Sequence, residues 1–144
     1  MSATRSRNTG TGSEKIFEDQ LLKHHGTKVY AYRFEDAKET RGLNGGKAVL
    51  VSPRPADYVV TINGVMFYAE VKSSTNARNA TFKLRPGQKA AMRRQIAAGG
   101  EYRIYFHCIP RDEWYCIPAN DLLDRDRMSF TFQWSNFEPF RIWR

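Results

Sequence analysis

The period at which apolar residues recur changes along this chain, and each change marks an element. Residues 1–12 are small, polar and basic with no hydrophobic period, which predicts a flexible arm ahead of a single folded domain over 13–144. Ser13 stands where a helix cap is needed. Ile16, Phe17, Leu21 and Leu22 then recur at helical spacing, so a helix is expected over 14–25, with Gly26 ending it. Residues 28–34 alternate as a strand, and 35–47 form a polar, glycine-containing loop. Residues 48–51 are short and apolar, but Pro53 and Pro55 follow and restrict any strand there to an edge.

Asn63 and Gly64 give the sharpest local signal, because both central residues of a type I′ turn take positive φ and these two tolerate it best. A hairpin over 57–73 follows. Residues 73–79 are a polar connector into a strand-like 81–84, and Pro86 opens a helix that continues over 88–98 until Gly99 and Gly100 stop it. Residues 103–108 and 114–117 read as a second strand pair, 120–123 as a short helix. The tail from Ser129 alternates aromatic and polar residues through Phe130, Phe132 and Trp134, and ends in Phe140, Ile142 and Trp143. This order of elements predicts an α/β sandwich, a mixed central β-sheet flanked by helices.

The hairpin carries candidate chemistry. Asp57 and Glu70 lie six residues on either side of the turn, so antiparallel pairing returns one carboxylate to the other at the open end. Glu70 and Lys72 are two apart and share a face. Their surroundings are apolar and β-prone, where a carboxylate and an ammonium are costly unless they pair or bind a metal. Such local conflict is expected at functional sites. Phosphodiester cleavage needs a nucleophilic water, charge stabilisation at the phosphoryl oxygens and a stabilised leaving oxygen, and a divalent cation can serve all three. Magnesium takes few protein carboxylates and keeps several waters. Asp57, Glu70 and the carbonyl of Val71 are therefore candidate ligands for Mg²⁺, with Mn²⁺ as the expected substitute. Lys72 is the candidate to orient or deprotonate the attacking water and to balance charge at the phosphate.

Composition narrows the partner. Across 144 residues the formal charge is +8 with a pI near 9.7, a field that favours polyanions, nucleic acid first. No apolar run is long enough to span a membrane and no export signal is seen, so an intracellular, cytoplasmic protein without membrane association is expected. Cys108 and Cys116 are too few for a disulfide framework and read as buried thiols. His24 and His25 end a helix and His107 sits in a strand, which suits structural roles better than metal binding. Between Lys72 and Arg103 the cations Arg78, Lys83, Arg85, Lys89, Arg93 and Arg94 face a single acid, Glu101. Lys89 and Arg93 are four apart and align on one helix face, with Ala91, Met92 and Ile96 left for the sheet. Arg33, Arg41, Lys47 and Arg54 extend the positive potential, and Arg5 and Arg7 on the arm are placed to wrap a backbone. Such residues hold phosphates without reading sequence.

With Asp57 matching the acidic element and Glu70-Val71-Lys72 the Glu-x-Lys element, the chain resembles the PD-(D/E)xK nuclease superfamily. Ala56 stands before Asp57, with Pro55 one place earlier, a departure at a position that often varies there. A helix carrying Phe17 and Glu18 after a glycine-containing basic arm, and Phe82, Leu84 and Gln88 leading into a helix after the Glu-x-Lys strand, are similar to the Holliday junction resolvases of the RecU and archaeal Hjc types. The resemblance covers roughly residues 10–118. It implies a restriction-endonuclease-like fold and a Mg²⁺-dependent endonuclease. It also implies that Glu18 supplies a further acidic group from the first helix, and that Gln88 lies near the site against scissile phosphate or a ligand water. Glu14 competes with Glu18, since the helix presents both on one face and the spacing to Gly26 does not settle the alignment.

A four-way junction has approximate twofold symmetry and needs matched cuts, which a homodimer supplies. The resemblance implies such a dimer acting on branched DNA. Tyr30, Tyr32 and Phe34 offer one candidate surface, and Trp134, Phe137, Phe140 and Trp143 another, although tail aromatics more often fill a core. The small size suits a virus-encoded or mobile-element enzyme. A restriction-like or repair nuclease with the same residues is the main rival, and a non-catalytic nucleic-acid-binding module is the alternative from another class.

Overall fold

The computed structural model describes the backbone of residues 2–35, 54–123 and 129–143, with side chains from Gly12 onward in the first segment and from Thr131 in the last. Residues 36–47 of the expected loop, the apolar 48–51, Pro53, and the side chains of Arg5 and Arg7 lie outside the described residues, as do Arg41 and Lys47. Helix α1 spans Ser2–His25, followed by a 3₁₀ turn over Gly26–Lys28 and strand β1, Val29–Arg33. Strands β2 (Tyr58–Ile62) and β3 (Val65–Ser74) form the hairpin, β4 is Asn79–Lys83 and α2 is Pro86–Ala97. Then come β5 (Glu101–Cys108), β6 (Glu113–Pro118), the short α3 (Asn120–Leu123), β7 (Ser129–Gln133), a 3₁₀ segment over Trp134–Phe140 and β8 (Arg141–Trp143).

Among the described residues β1-β2-β3-β5-β6-β8 make a six-stranded sheet, and β4 and β7 make a separate two-stranded ribbon. All neighbours in the main sheet are antiparallel except β3 and β5, which run parallel, so the sheet is mixed as expected. Asn63 and Gly64 take φ of 49° and 85°, the positive pair a type I′ turn requires. That turn sets the register: Tyr58 opposes Ala69 and Ile62 opposes Val65.

Alternation along the strands sends side chains to opposite faces, and each face builds its own core. On one side Phe17 and Leu21 of α1 bury against Tyr58, Val60, Phe67, Ala69, Tyr105, Trp114 and Trp143. On the other, Met92 of α2 and Phe82 of the ribbon pack on Tyr102, Ile104, Phe106, Tyr115 and Ile117, with Trp134 and Phe137 filling in from the tail. The tail aromatics are thus mostly core. Leu22, by contrast, is exposed and does not belong to the stripe.

Helix α1 does not begin at Ser13. Its backbone is helical from Ser2, because extending a helix already held by Phe17 and Leu21 adds one hydrogen bond per residue and no proline lies in 2–12 to stop it. Ser13 is buried inside the helix, where its hydroxyl meets His107 Nδ1 at 2.8 Å instead of capping a terminus. His107 also meets Asp112 through Nε2 at 3.0 Å and stacks on Trp114. It ties α1 to the β5–β6 turn.

Candidate active site

Asp57 precedes β2 by one residue and Glu70 follows Ala69, the last partner in the hairpin ladder, so the two stand across from each other where the ladder ends. Both are buried, at 6% and 3% exposure. Glu70 pairs in register with Ile104 and Lys72 with Phe106, which places Glu70 and Lys72 on the sheet face covered by α2. The Asp57 carboxylate is held from two sides: Oδ2 accepts the Val71 N–H at 2.8 Å, and Oδ1 accepts Arg54 Nη2 at 3.1 Å. Arg54 also donates to the Phe34 carbonyl at 3.1 Å.

Glu70 sits in a different setting. Gln88 Nε2 donates to Oε2 at 3.2 Å, and the Tyr102 hydroxyl lies 3.1 Å from Oε1 and 2.8 Å from the Pro55 carbonyl. Burial and then the adjacent Asp57 charge push the Glu70 carboxyl up to about 8, while the Lys72 charge pulls the other way. A buried carboxylate pair with only one side offset by arginine is a site that gains from an added cation. Gln88 is fixed in turn, since its Oε1 accepts the Arg85 N–H at 2.9 Å at the start of α2.

The two helix carboxylates have different partners. Glu18 accepts the Tyr58 hydroxyl at 3.1 Å, on the α1 face of the sheet. Glu14 bonds Arg33 Nε at 2.9 Å, and burial followed by the charge of Asp57 raises its carboxyl above the ordinary range, with Arg33 opposing. Among the described residues no three His, Cys, Asp or Glu side chains are gathered closely enough to hold a metal by themselves. The close oxygen set is therefore the pair Asp57 and Glu70, with backbone carbonyls beside them.

The basic surface is placed less uniformly than its sequence suggests. Arg54, Arg78, Lys83, Arg85, Arg93 and Arg94 are exposed. Lys89 is not: at 6% exposure it is buried with Met92 on the inner side of α2, so it is unavailable as a surface phosphate contact. The four-residue spacing to Arg93 did not reveal this, because Ala91, Met92 and Ile96 make only a weak apolar stripe on α2 and do not fix its rotation. Arg54, Tyr68, Gly87 and Arg94 line an open cleft of about 500 Å³ beside the carboxyl pair. Tyr102, which touches Glu70, carries no local sequence signal; only the parallel pairing of β3 with β5 brings it in.

No known protein family and no curated protein matches the chain by sequence. Solved structures do match. Hjc from Archaeoglobus fulgidus, a Holliday junction resolvase from an archaeal hyperthermophile, superposes with a TM-score of 0.60 at 22% identity, over 93% of this chain and 95% of that one. A bacterial homing endonuclease matches with a TM-score of 0.52 at 13% identity, over 88% of this chain and 73% of its own. The fold of this chain is that of the Hjc resolvase: a mixed sheet between flanking helices.

Proposed function

We propose that this chain is a divalent-metal-dependent endodeoxyribonuclease that resolves four-way DNA junctions by paired symmetric nicks, acting as a homodimer. One observation carries the reading: on a resolvase-like fold, the hairpin sets Asp57 against Glu70, with Lys72 on the same face. Asp57 and Glu70 would hold the cation, Mg²⁺ or Mn²⁺, since hard oxygen donors suit both. The Val71 carbonyl fits as a third ligand. In an extended residue N–H and C=O leave toward the same neighbour, and the Val71 N–H points at Asp57, beyond the last β2 partner. When bound, the cation would supply Lewis acidity and charge neutralisation at the phosphoryl group.

The chain's own residues do the rest. Gln88 orients Glu70 and stands where a ligand water or the phosphate would sit. Lys72 holds positive charge beside Glu70 and can take or give a proton at the attacking water. Glu14, rather than the Glu18 that the resemblance implies, is the helix carboxylate proposed for the site, because burial and then the charge of Asp57 raise its carboxyl. Arg54 and Arg94 flank the approach and hold the backbone.

For the second copy, Tyr30 and Met66 offer an apolar surface. They are 69% and 64% exposed, and both register with Thr61, so they share one face near the β1 edge. The test is a labelled four-way junction set against linear duplex, a flap and single strands, each with Mg²⁺ or chelator. Paired nicks confined to the junction are expected. Cleavage of linear duplex at a fixed sequence would favour the activity type of the homing endonuclease neighbour, and binding without cleavage in metal would reject an enzyme.

A further inference from the structure

A second cleft opens at the far end of the β4–β7 ribbon, where Asn79 pairs with Gln133. Arg78, Asn79, Arg111, Gln133, Trp134 and Ser135 enclose about 450 Å³. Its lining is mostly polar. Trp134 is buried and has its indole N–H spent on the Asn76 carbonyl at 2.8 Å, so the cleft offers no free ring for a base. It offers two guanidinium groups, amides and a hydroxyl, the donor set of an oxyanion site.

The cations there are poorly neutralised. Among the described residues the Arg78 side chain has no ion pair or hydrogen bond. Arg111 reaches Glu113 only at 3.8 Å, and that carboxylate is already shared with the Tyr115 hydroxyl at 2.7 Å and Arg141 at 4.0 Å. The backbone that presents Arg78 is held by hydrogen bonds. Asn76 Oδ1 accepts the N–H of Arg78 at 2.8 Å and of Asn79 at 3.0 Å, Trp134 N–H donates to the Arg78 carbonyl at 2.9 Å, and Ser74 Oγ donates to the Asn79 carbonyl at 3.1 Å. On binding, the backbone is already placed and the Arg78 side chain remains to be ordered.

The cleft lies along β3 from the carboxyl pair. From Glu70 to Ser74 the strand advances about 13 Å at its usual rise per residue, which is about four base steps of duplex at 3.4 Å each. We propose that the Arg78–Arg111 cleft binds a backbone phosphate of the substrate DNA, on the same track as the phosphate at Asp57 and Glu70 and a few nucleotides from it. This rests on the nuclease reading above. Arg111 lies outside the basic run between Lys72 and Arg103, and only the β5–β6 turn brings it beside Arg78.

The test is equilibrium binding of a four-way junction in chelator, measured across a salt series for the full chain, Arg78→Gln, Arg111→Gln and the double variant. Lys28→Ala, at the hairpin-tip end of the sheet, is the matched charge control. Each cleft variant is expected to lower the slope of log affinity against log salt by about one, and the double variant by about two, with the control unchanged. A wild-type slope in the double variant overturns the proposal while leaving the nuclease reading intact. An equal loss in Lys28→Ala also overturns it, since the effect would then be net charge alone. If calorimetry shows wild-type affinity for inorganic phosphate lost in the double variant while its DNA slope is unchanged, the cleft serves a free anion and the proposal fails. If the unaltered chain binds no DNA, the nuclease reading falls and the cleft proposal falls with it.

Discussion

Asp57 faces Glu70 across the open end of the hairpin, and its Oδ2 takes the N–H of Val71, the residue that follows Glu70, at 2.8 Å. One contact thus locks the first carboxylate to the strand that carries the second. Two buried acids in that arrangement repel each other: Arg54 offsets Asp57, and burial together with the Asp57 charge raises the Glu70 carboxyl against the pull of Lys72.

Asp57→Asn and Glu70→Gln should each slow junction cleavage by about 10²-fold or more, since each removes a ligand of the cation that would neutralise the reacting phosphate. Junction affinity in chelator should stay near wild type. Single-turnover cleavage and gel-shift titration separate the two effects, and a variant that cuts at the wild-type rate would lose its place in the site.

Glu14→Gln should lower kcat by about 10-fold to 100-fold, the range for a group supporting metal ligands. Glu18→Gln should leave the rate nearly unchanged, because Glu18 is engaged with Tyr58 on the α1 face. The opposite ranking would return the role to Glu18.

Arg54 has two roles that pull against each other. Its guanidinium neutralises Asp57, so Arg54→Ala should tighten Mn²⁺ binding while weakening DNA binding. Calorimetry with the metal and gel shifts with DNA would read both signs, and parallel losses in both would show that Arg54 instead holds Asp57 in place.

Glu70 makes the metal-free protein sensitive to alkali. Its carboxyl is raised in the folded chain to about 8 from an ordinary value of 4.5, so the fold binds a proton that the unfolded chain releases. The associated stability is complete below the ordinary carboxylate range and is lost as pH rises through the raised value. In chelator, Tm should decline over that window, and Glu70→Gln should flatten the decline. A profile for the variant that matches wild type would mean Glu70 is not the group responsible.

Much of this site was legible because it is local. Asn63 and Gly64 demand the turn, the turn sets the register, and the register alone puts Asp57 beside Glu70. The apolar spacing of Phe17 and Leu21 likewise announced which side of α1 is buried. What escaped depends on how elements rotate against one another. Glu14 and Glu18 sit one turn apart on α1, and only the packing of that helix puts Glu14 against Arg33 and Glu18 against Tyr58. Lys89 looked like a surface cation until the seating of α2 turned it inward. Tyr102 entered through a parallel strand pairing that no neighbouring residue foretells.

The most direct measurement is calorimetric titration of the metal-free protein with Mn²⁺ in buffers of differing ionisation enthalpy, near neutral pH. Saturable binding accompanied by proton release from Glu70 is expected in the wild type, with binding lost in both Asp57→Asn and Glu70→Gln. Unaltered Mn²⁺ affinity in either variant would contradict a cation held between these two carboxylates.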